Sequence, residues 1–437
     1  MDLIIPLLFF IFYTAFFASF LWKKATLFII FLILIIFFYE FLFIQISDFV
    51  DDTVFYLIKS WQEYLFAIVL CFIFIKILII NTVKYSATDK RIFTILLLLT
   101  ISGFAASLFQ SVSIFDAFLG WRTYILPIFL NYLLYYSDHL FNSSTRAINY
   151  TLITFSCIMV LYASYLEASF NGDLTSLFFY DYVNEISPIE QGRYNYVRDD
   201  QLRATGFFVS PLIYSSFLGY TSLILLYYIL FSKIKKRIWF FFLFVFILYG
   251  QYIARTRIGL VNFGVGIIST FLIYYKPYIS LRKIVYIPIV LIVLTFIGLI
   301  TGLTSDPSAL GRLVQYTSIP DNFKVTGLGF GDPLTTVFFD SWYISALLLF
   351  GLLFPIYVYL HILLLKKIHP YVSFYKTDLV SIHEKVFFFA NYGFFISFIY
   401  MFAFQYILGS ATIYIFYIMI FLIISKNRYN MHLQLRN

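Results

Sequence analysis

Apolar stretches of about 20 residues recur along the whole chain, separated by mostly short polar segments. A helix of about 20 apolar residues crosses the roughly 30 Å of hydrocarbon in a bilayer. The pattern predicts an all-α polytopic membrane protein with about 13 (12–14) transmembrane helices in a single transmembrane domain, residues 1–437. The spans are expected near 3–22, 25–45, 61–82, 92–111, 119–136, 148–167, 207–231, 238–254, 258–275, 284–302, 341–365, 386–408 and 411–425.

Composition excludes a soluble globular protein. Hydrophobic residues make up 62% of the chain and charged residues only 12%, whereas soluble domains are about one quarter charged. Cys71 and Cys157 both fall within predicted spans, so we expect neither a disulfide framework nor a thiolate metal site.

The distribution of lysine and arginine predicts the orientation in the membrane. Loops on one side carry 20 basic residues and those on the opposite side carry nine. Because basic loops stay in the cytoplasm, we expect the N-terminus outside and the C-terminus inside a cytoplasmic membrane. The net charge of +8 then describes the cytoplasmic rim and not a nucleic-acid site.

Two predicted external loops, 168–206 and 303–340, are much longer than the others. The first interleaves acids and arginines with tyrosines, among them Tyr194 and Arg198. Tyrosine rings stack on sugar faces and charged groups bind hydroxyls, so this composition suits a carbohydrate surface. It equally suits a solvated loop that packs on itself.

Arginine is concentrated on the external side, against the topological trend. Seven arginines and two lysines lie there, and the arginines are Arg122, Arg193, Arg198, Arg203, Arg255, Arg257 and Arg312. A guanidinium group binds phosphate or carboxylate through two parallel hydrogen bonds, which lysine cannot do. The set predicts an electropositive cup at the level of the lipid headgroups, although single arginines could instead pair with phospholipids or with external acids.

The second long loop contains three alternating glycines, Gly327, Gly329 and Gly331, and is bordered by Asp332 and Asp340. A dinucleotide site would need a strand before these glycines and a helix after them, so we reject it. We expect the glycines to adopt positive φ in a re-entrant loop.

The external compartment restricts the chemistry. It holds no nucleotide sugar, so a glycosyl transfer there needs a donor such as a lipid-linked diphosphate sugar. The arginine cup would stabilise the charge that develops on the diphosphate as the glycosidic bond breaks. The sequence has no convincing metal-ligand cluster and no external histidine, so we expect no cofactor and a carboxylate as the base.

Short motifs distributed over about 115–355 resemble the bacterial O-antigen polymerase and O-antigen ligase family. They appear in the family's order, as Gly120-Trp-Arg-Thr-Tyr124, Arg203-Ala-Thr-Gly-Phe-Phe-Val-Ser-Pro211, Tyr252-Ile-Ala-Arg-Thr-Arg-Ile-Gly259, Gly311-Arg312, Gly327 to Gly331 and Asp340-Ser-Trp-Tyr343. Members of this family act on undecaprenyl diphosphate-linked glycans.

The resemblance implies a GT-C-like architecture and a metal-independent glycosyltransferase of lipopolysaccharide or other polysaccharide biosynthesis, active on the periplasmic face of the inner membrane. It would transfer a growing glycan from undecaprenyl diphosphate to an incoming lipid-linked repeat unit, and a chain-length regulator and a flippase of the same pathway are expected partners. The resemblance implies that Arg203, Arg255 and Arg257 are catalytic, and we add Asp340 as a catalytic candidate for the carboxylate base. The expected substrate-binding residues are Arg122, Arg312, Arg198, Tyr194, Asp332 and Tyr343.

Two alternatives stay open. The ligase branch of this family uses a histidine in its large outer loop, and 303–340 contain none, which favours a polymerase over a ligase. A flippase for lipid-linked oligosaccharides would call for repeated halves and charges near the membrane midplane. No internal repeat is apparent, and the mid-span charges are Glu40 and Lys76, which disfavours the transporter.

The predicted orientation can be tested by cysteine labelling. In a background without Cys71 and Cys157, Arg193→Cys should react with a membrane-impermeant maleimide added to intact cells, because the first long loop is expected outside. Lys283→Cys is the matched control and should react only after permeabilisation. The reverse pattern would invert the predicted topology.

Overall fold

The protein is a bundle of α-helices in the computed structural model, which describes residues 4–47, 60–80, 86–140, 143–180, 196–198, 201–275, 280–300, 315–332, 341–401 and 411–434. The first half contains α1 (Ile4–Leu21), α2 (Ala25–Ser47), α3 (Trp61–Ile80), α4 (Ala87–Phe109), α5 (Ile114–Tyr124), α6 (Leu126–Tyr136), α7 (Thr145–Ser169) and the hairpin strands β1 (Val197–Arg198) and β2 (Gln201–Leu202). The second half contains α8 (Pro211–Phe231), α9 (Ile234–Ile253), α10 (Ile258–Tyr275), α11 (Leu281–Ile300), α12 (Ile319–Asn322), α13 (Trp342–Phe350), α14 (Phe354–Ile368), α15 (Val372–Lys376), α16 (Ile382–Met401) and α17 (Ala411–Gln434).

The all-α membrane architecture predicted from the apolar pattern is confirmed. Among the described residues, five helical segments are long and apolar enough to cross a membrane, namely Ala87–Phe109, Thr145–Ser169, Pro211–Phe231, Ile234–Ile253 and Trp342–Lys376. All 13 predicted spans overlap helices, but the number of membrane crossings stays a prediction.

One helix starts well before its predicted span because of its capping residues. The span predicted at 92–111 begins at Ala87 in α4. The Ser86 hydroxyl accepts from the backbone N–H of Asp89, and the Asp89 carboxylate accepts from the backbone N–H of Ser86. This capping box satisfies backbone donors that a helix start otherwise leaves unpaired.

Two predicted spans are interrupted, which corrects the sequence-based prediction. The span at 119–136 divides at Ile125 into α5 and α6, because Pro127 has no backbone N–H and lies in the first turn of α6. The span at 341–365 divides at Gly351, which has φ of 53° and ends α13. A short 3₁₀ turn, Gly351–Leu353, then leads to α14 with Pro355 in its first turn.

The glycine loop, residues 324–331, packs between α4, α5 and α13. Its three alternating glycines all have positive φ, between 80° and 84°, as predicted. A Cβ atom on Gly327, Gly329 or Gly331 would overlap backbone atoms of the neighbouring helices. The contacts on α13 lie seven to nine residues beyond Ser341, or about 10 Å along the helix axis, so the loop enters the bundle.

Backbone hydrogen bonds join this loop to the interrupted helix. The N–H groups of Leu328 and Gly329 donate to the carbonyls of Leu348 and Leu349, at 2.8 and 3.2 Å. In return, the N–H of Leu352 donates to the carbonyl of Val325 at 3.0 Å. The break at Gly351 leaves backbone groups near the end of α13 without helical hydrogen-bond partners, and the loop supplies the replacement partners.

Charged contacts distinguish the two ends of the bundle. At one end, which we call the lysine end, Lys367 pairs with Asp89 and Lys76 pairs with Asp138. Three helices, α3, α17 and α7, each have one end there. Their opposite ends carry Gln62, Tyr414 and Glu167, respectively. This opposite end holds Arg122 and Arg255, and we call it the arginine end.

The close packing of the glycine loop predicts the effect of an added methyl group. Gly329→Ala should lower the free energy of unfolding by about 2–4 kcal/mol, because it combines an unfavourable φ with overlap against the backbone of Ser107. Gly172→Ala separates the two causes, since Gly172 has φ of 93° but nothing within 4 Å of the added atom. It should cost only about 1 kcal/mol. Thermal unfolding in detergent measures both variants, and equal losses would contradict the packing of the loop.

Candidate functional site

The hairpin at the arginine end positions Arg203. Strands β1 and β2 are antiparallel, with Val197 opposite Leu202. The ladder continues one residue further, because the N–H of Arg203 donates to the carbonyl of Tyr196 at 2.8 Å. The next residue, Ala204, donates its N–H to the carbonyl of Ile253 at 3.1 Å, which ties the hairpin to the end of α9. This strand pair was not predicted from the sequence.

An apolar cluster holds the base of the hairpin. Its buried members come from α2, α7, the segment after α7 and the hairpin, and they are Ile44, Leu166, Leu177, Phe179, Tyr196 and Leu202. The rings of Phe179 and Tyr196 lie 4.9 Å apart between centroids. Part of the first long loop thus folds onto the bundle instead of extending into solvent.

Arg255 connects this hairpin to two helices. It follows α9, and its Nη2 lies 2.8 Å from Oε1 of Glu167 near the end of α7. Its Nε donates to the carbonyl of Leu202 at 3.2 Å. Its backbone is left-handed, with φ of 51°, which is uncommon for a residue other than glycine. Both side-chain contacts support that unfavourable conformation.

Three of the predicted arginines are neighbours in the fold. Arg203 is partly buried in the hairpin, Arg255 spans the hairpin and α7, and Arg257 is exposed immediately before α10. We call these three residues the arginine junction. Glu167 pairs with Arg255 here. A group of three guanidinium groups favours the binding of an anion.

Arg122 forms a second site at the same end. Its Nε lies 3.0 Å from Oε1 of Glu63 and 3.3 Å from Oε1 of Gln62, both in the first turn of α3. Gln62 also accepts a hydrogen bond from the hydroxyl of Tyr414 at 2.6 Å. Arg122 and Arg255 therefore pair with different acids. The alternative raised from the sequence, that single outer arginines pair with acids, applies to both of them.

The structure describes some of the remaining predicted site residues and not others. Asp332 follows the glycine loop and is partly exposed, and Tyr343 lies in the first turn of α13 with its ring 6.1 Å from that of Phe354. Only the backbone of Arg198 is described, in β1. Tyr194, Arg312 and Asp340 lie outside the described residues, so the convergence of all five predicted arginines stays a prediction.

Glu63 and Glu167 are the site residues that sequence reasoning missed. Each is an isolated acid within two turns of the end of a long apolar helix. An acid in that position is unfavourable in lipid unless a partner compensates it. That signal was present in the sequence, but it does not identify the partner.

In the part of the chain that the structure describes, no three His, Cys, Asp or Glu side chains lie together as metal ligands would. Comparison with protein-family models and with curated proteins gives no match to this chain.

The pair formed by Arg122 and Glu63 predicts a coupled loss of stability. Each side chain is only about one-sixth exposed (16% and 15%). Arg122→Met should cost about 2–4 kcal/mol, because it leaves a largely buried carboxylate without its cation. The double variant Arg122→Met/Glu63→Gln should lose less than the sum of the two single variants.

Lys76→Met is the matched control, since the Lys76–Asp138 pair is much more exposed (30% and 45%) and should contribute less than about 1 kcal/mol. Thermal unfolding in detergent provides the comparison. Strictly additive losses at Arg122 and Glu63 would show that the pair does not act as a unit.

Proposed function

We propose that this protein is a membrane glycosyltransferase that extends a polysaccharide, moving a growing glycan from a lipid diphosphate to an incoming lipid-linked repeat unit. The observation that carries the proposal is the arginine junction. Three guanidinium groups lie where a hairpin meets the ends of apolar helices, and Glu167 pairs with Arg255. The resemblance to O-antigen polymerases supports the same reading.

The position of the junction favours a lipid-linked anion over a soluble one. Arg257 immediately precedes α10, and α9 next to it presents large apolar side chains on its surface, such as Phe241, Phe242 and Val245. In a bilayer such a surface faces lipid tails, and helix ends lie at the level of the headgroups. A diphosphate on a lipid carrier would meet the junction at that level.

The proposed chemistry is a displacement at the anomeric carbon of the donor glycan. A hydroxyl of the acceptor sugar forms the new C–O bond while the bond from the anomeric carbon to the diphosphate breaks. The diphosphate leaves with the electron pair, and Arg203 and Arg257 stabilise the charge that develops on it. The hydroxyl proton passes to a carboxylate, for which Asp332 and Asp340 are the candidates.

The junction predicts a specific defect in chain growth. Purified protein in detergent should convert two lipid-linked repeat units into longer lipid-linked glycans without any nucleotide. Arg203→Lys and Arg257→Lys should each lower kcat roughly tenfold or more, because lysine cannot reproduce the paired hydrogen bonds to phosphate. Arg146→Lys is the matched control at the other end of the bundle and should keep the activity.

Normal polymer length from both junction variants would refute the site. Movement of lipid-linked units across vesicle membranes without chain growth would support the flippase instead. Transfer onto a lipid A acceptor, with no transfer onto a second repeat unit, would support the ligase.

A further inference from the structure

The side chain of Arg255 makes two polar contacts that join the hairpin to α7. One nitrogen of its guanidinium group faces the Glu167 carboxylate and another donates to the carbonyl of Leu202. Building on the proposed function, we propose that Arg255 and Glu167 form a clamp that positions Arg203, and that Arg255 itself does not contact the substrate.

The clamp acts through three consecutive residues of the chain. The carbonyl of Leu202 accepts from Arg255, the N–H of Arg203 donates to Tyr196, and the N–H of Ala204 donates to Ile253. The first of these hydrogen bonds joins Leu202 to the side chain of Arg255. The second joins Arg203 to the hairpin, and the third joins Ala204 to the end of α9. Together they fix the backbone of Arg203 on both sides.

The same contacts fix the separation between Arg203 and Arg257. Arg257 is two residues beyond Arg255, whose backbone N–H donates to the carbonyl of Tyr252 at 3.1 Å. The left-handed conformation of Arg255 sets the direction in which the chain leaves α9 toward α10. An enzyme that binds a diphosphate with two arginines gains from holding them at a constant distance.

The identity of residue 255 follows from the geometry of the two acceptors. A guanidinium group is planar and presents Nε and Nη2 in fixed directions, so it can bridge a carbonyl and a carboxylate at once. A lysine ammonium group has a single nitrogen on a flexible stem. The carboxylate at 2.8 Å also offsets the charge that Arg255 would otherwise offer to a phosphate.

Substitution of Glu167 distinguishes this proposal from a catalytic role for Arg255. If Arg255 bound the diphosphate, Glu167→Gln would remove a competing anion, and donor binding would improve or stay unchanged. The clamp predicts the opposite. Glu167→Gln and Arg255→Met should each lower kcat about tenfold or more. The double variant should be no less active than the less active single variant, because both changes remove the same ion pair.

Substitution of Arg255 by lysine tests how much of the clamp depends on the ion pair alone. Arg255→Lys keeps the charge and should retain more activity than Arg255→Met, while still losing the contact to Leu202.

Hydrogen exchange of 196–204 tests the clamp without any assay of activity. Amide exchange of Arg203 and Ala204 should rise at least tenfold in Glu167→Gln and Arg255→Met. Exchange within α8 is the control for correct folding, because α8 is almost entirely buried. If the original protein does not extend glycans but the exchange pattern appears, the proposed function fails and the clamp stands. Unchanged exchange in both single variants would overturn the clamp.

Discussion

The exchange of backbone hydrogen bonds between the glycine loop and the interrupted helix at Gly351 is the constraint on which this part of the bundle depends. In hydrocarbon an unpaired N–H or carbonyl costs several kcal/mol, so a helix cannot break there without replacement partners. The loop provides them at Val325, Leu328 and Gly329. Only residues without a Cβ atom allow its backbone to come this close to α4, α5 and α13, which explains three positive-φ glycines in a row of five residues.

Ion pairs lie at both ends of the bundle, but their residues differ. At the lysine end, Lys367 pairs with Asp89, and Asp138 receives both Lys76 and Arg428. At the arginine end, the cations are arginines and their acids come from apolar helices. Arginine can satisfy a carboxylate and a second acceptor together, as Arg255 does with Leu202. Arg255 thereby holds a hairpin, whereas Arg122 and the pairs of the lysine end join helices.

Placement of the hairpin gives the arginine end its functional character. The hairpin packs in an apolar cluster with α2 and α7. It is also hydrogen-bonded to the end of α9 and to the side chain of Arg255. Arg203 consequently lies on a hairpin whose backbone is hydrogen-bonded to its neighbours, near an exposed Arg257. The proposed stabilisation of a leaving diphosphate requires charges that are in place before the ligand arrives.

The sequence by itself determined the helical membrane class, the approximate position of each long helix and the positive φ of Gly327, Gly329 and Gly331. Hydrophobic run length and the absence of a Cβ atom are local properties, so they can be read without neighbours. The breaks at Ile125 and Gly351 lie beside Pro127 and Pro355, local signals that the apolar run length does not register. The hairpin, and the pairing of Arg255 with Glu167 and of Arg122 with Glu63, were decided only by the tertiary structure. Apolar residues cover every face of a helix in lipid, so the pattern does not show which faces meet, and the acid that pairs with each arginine lies far away in the chain.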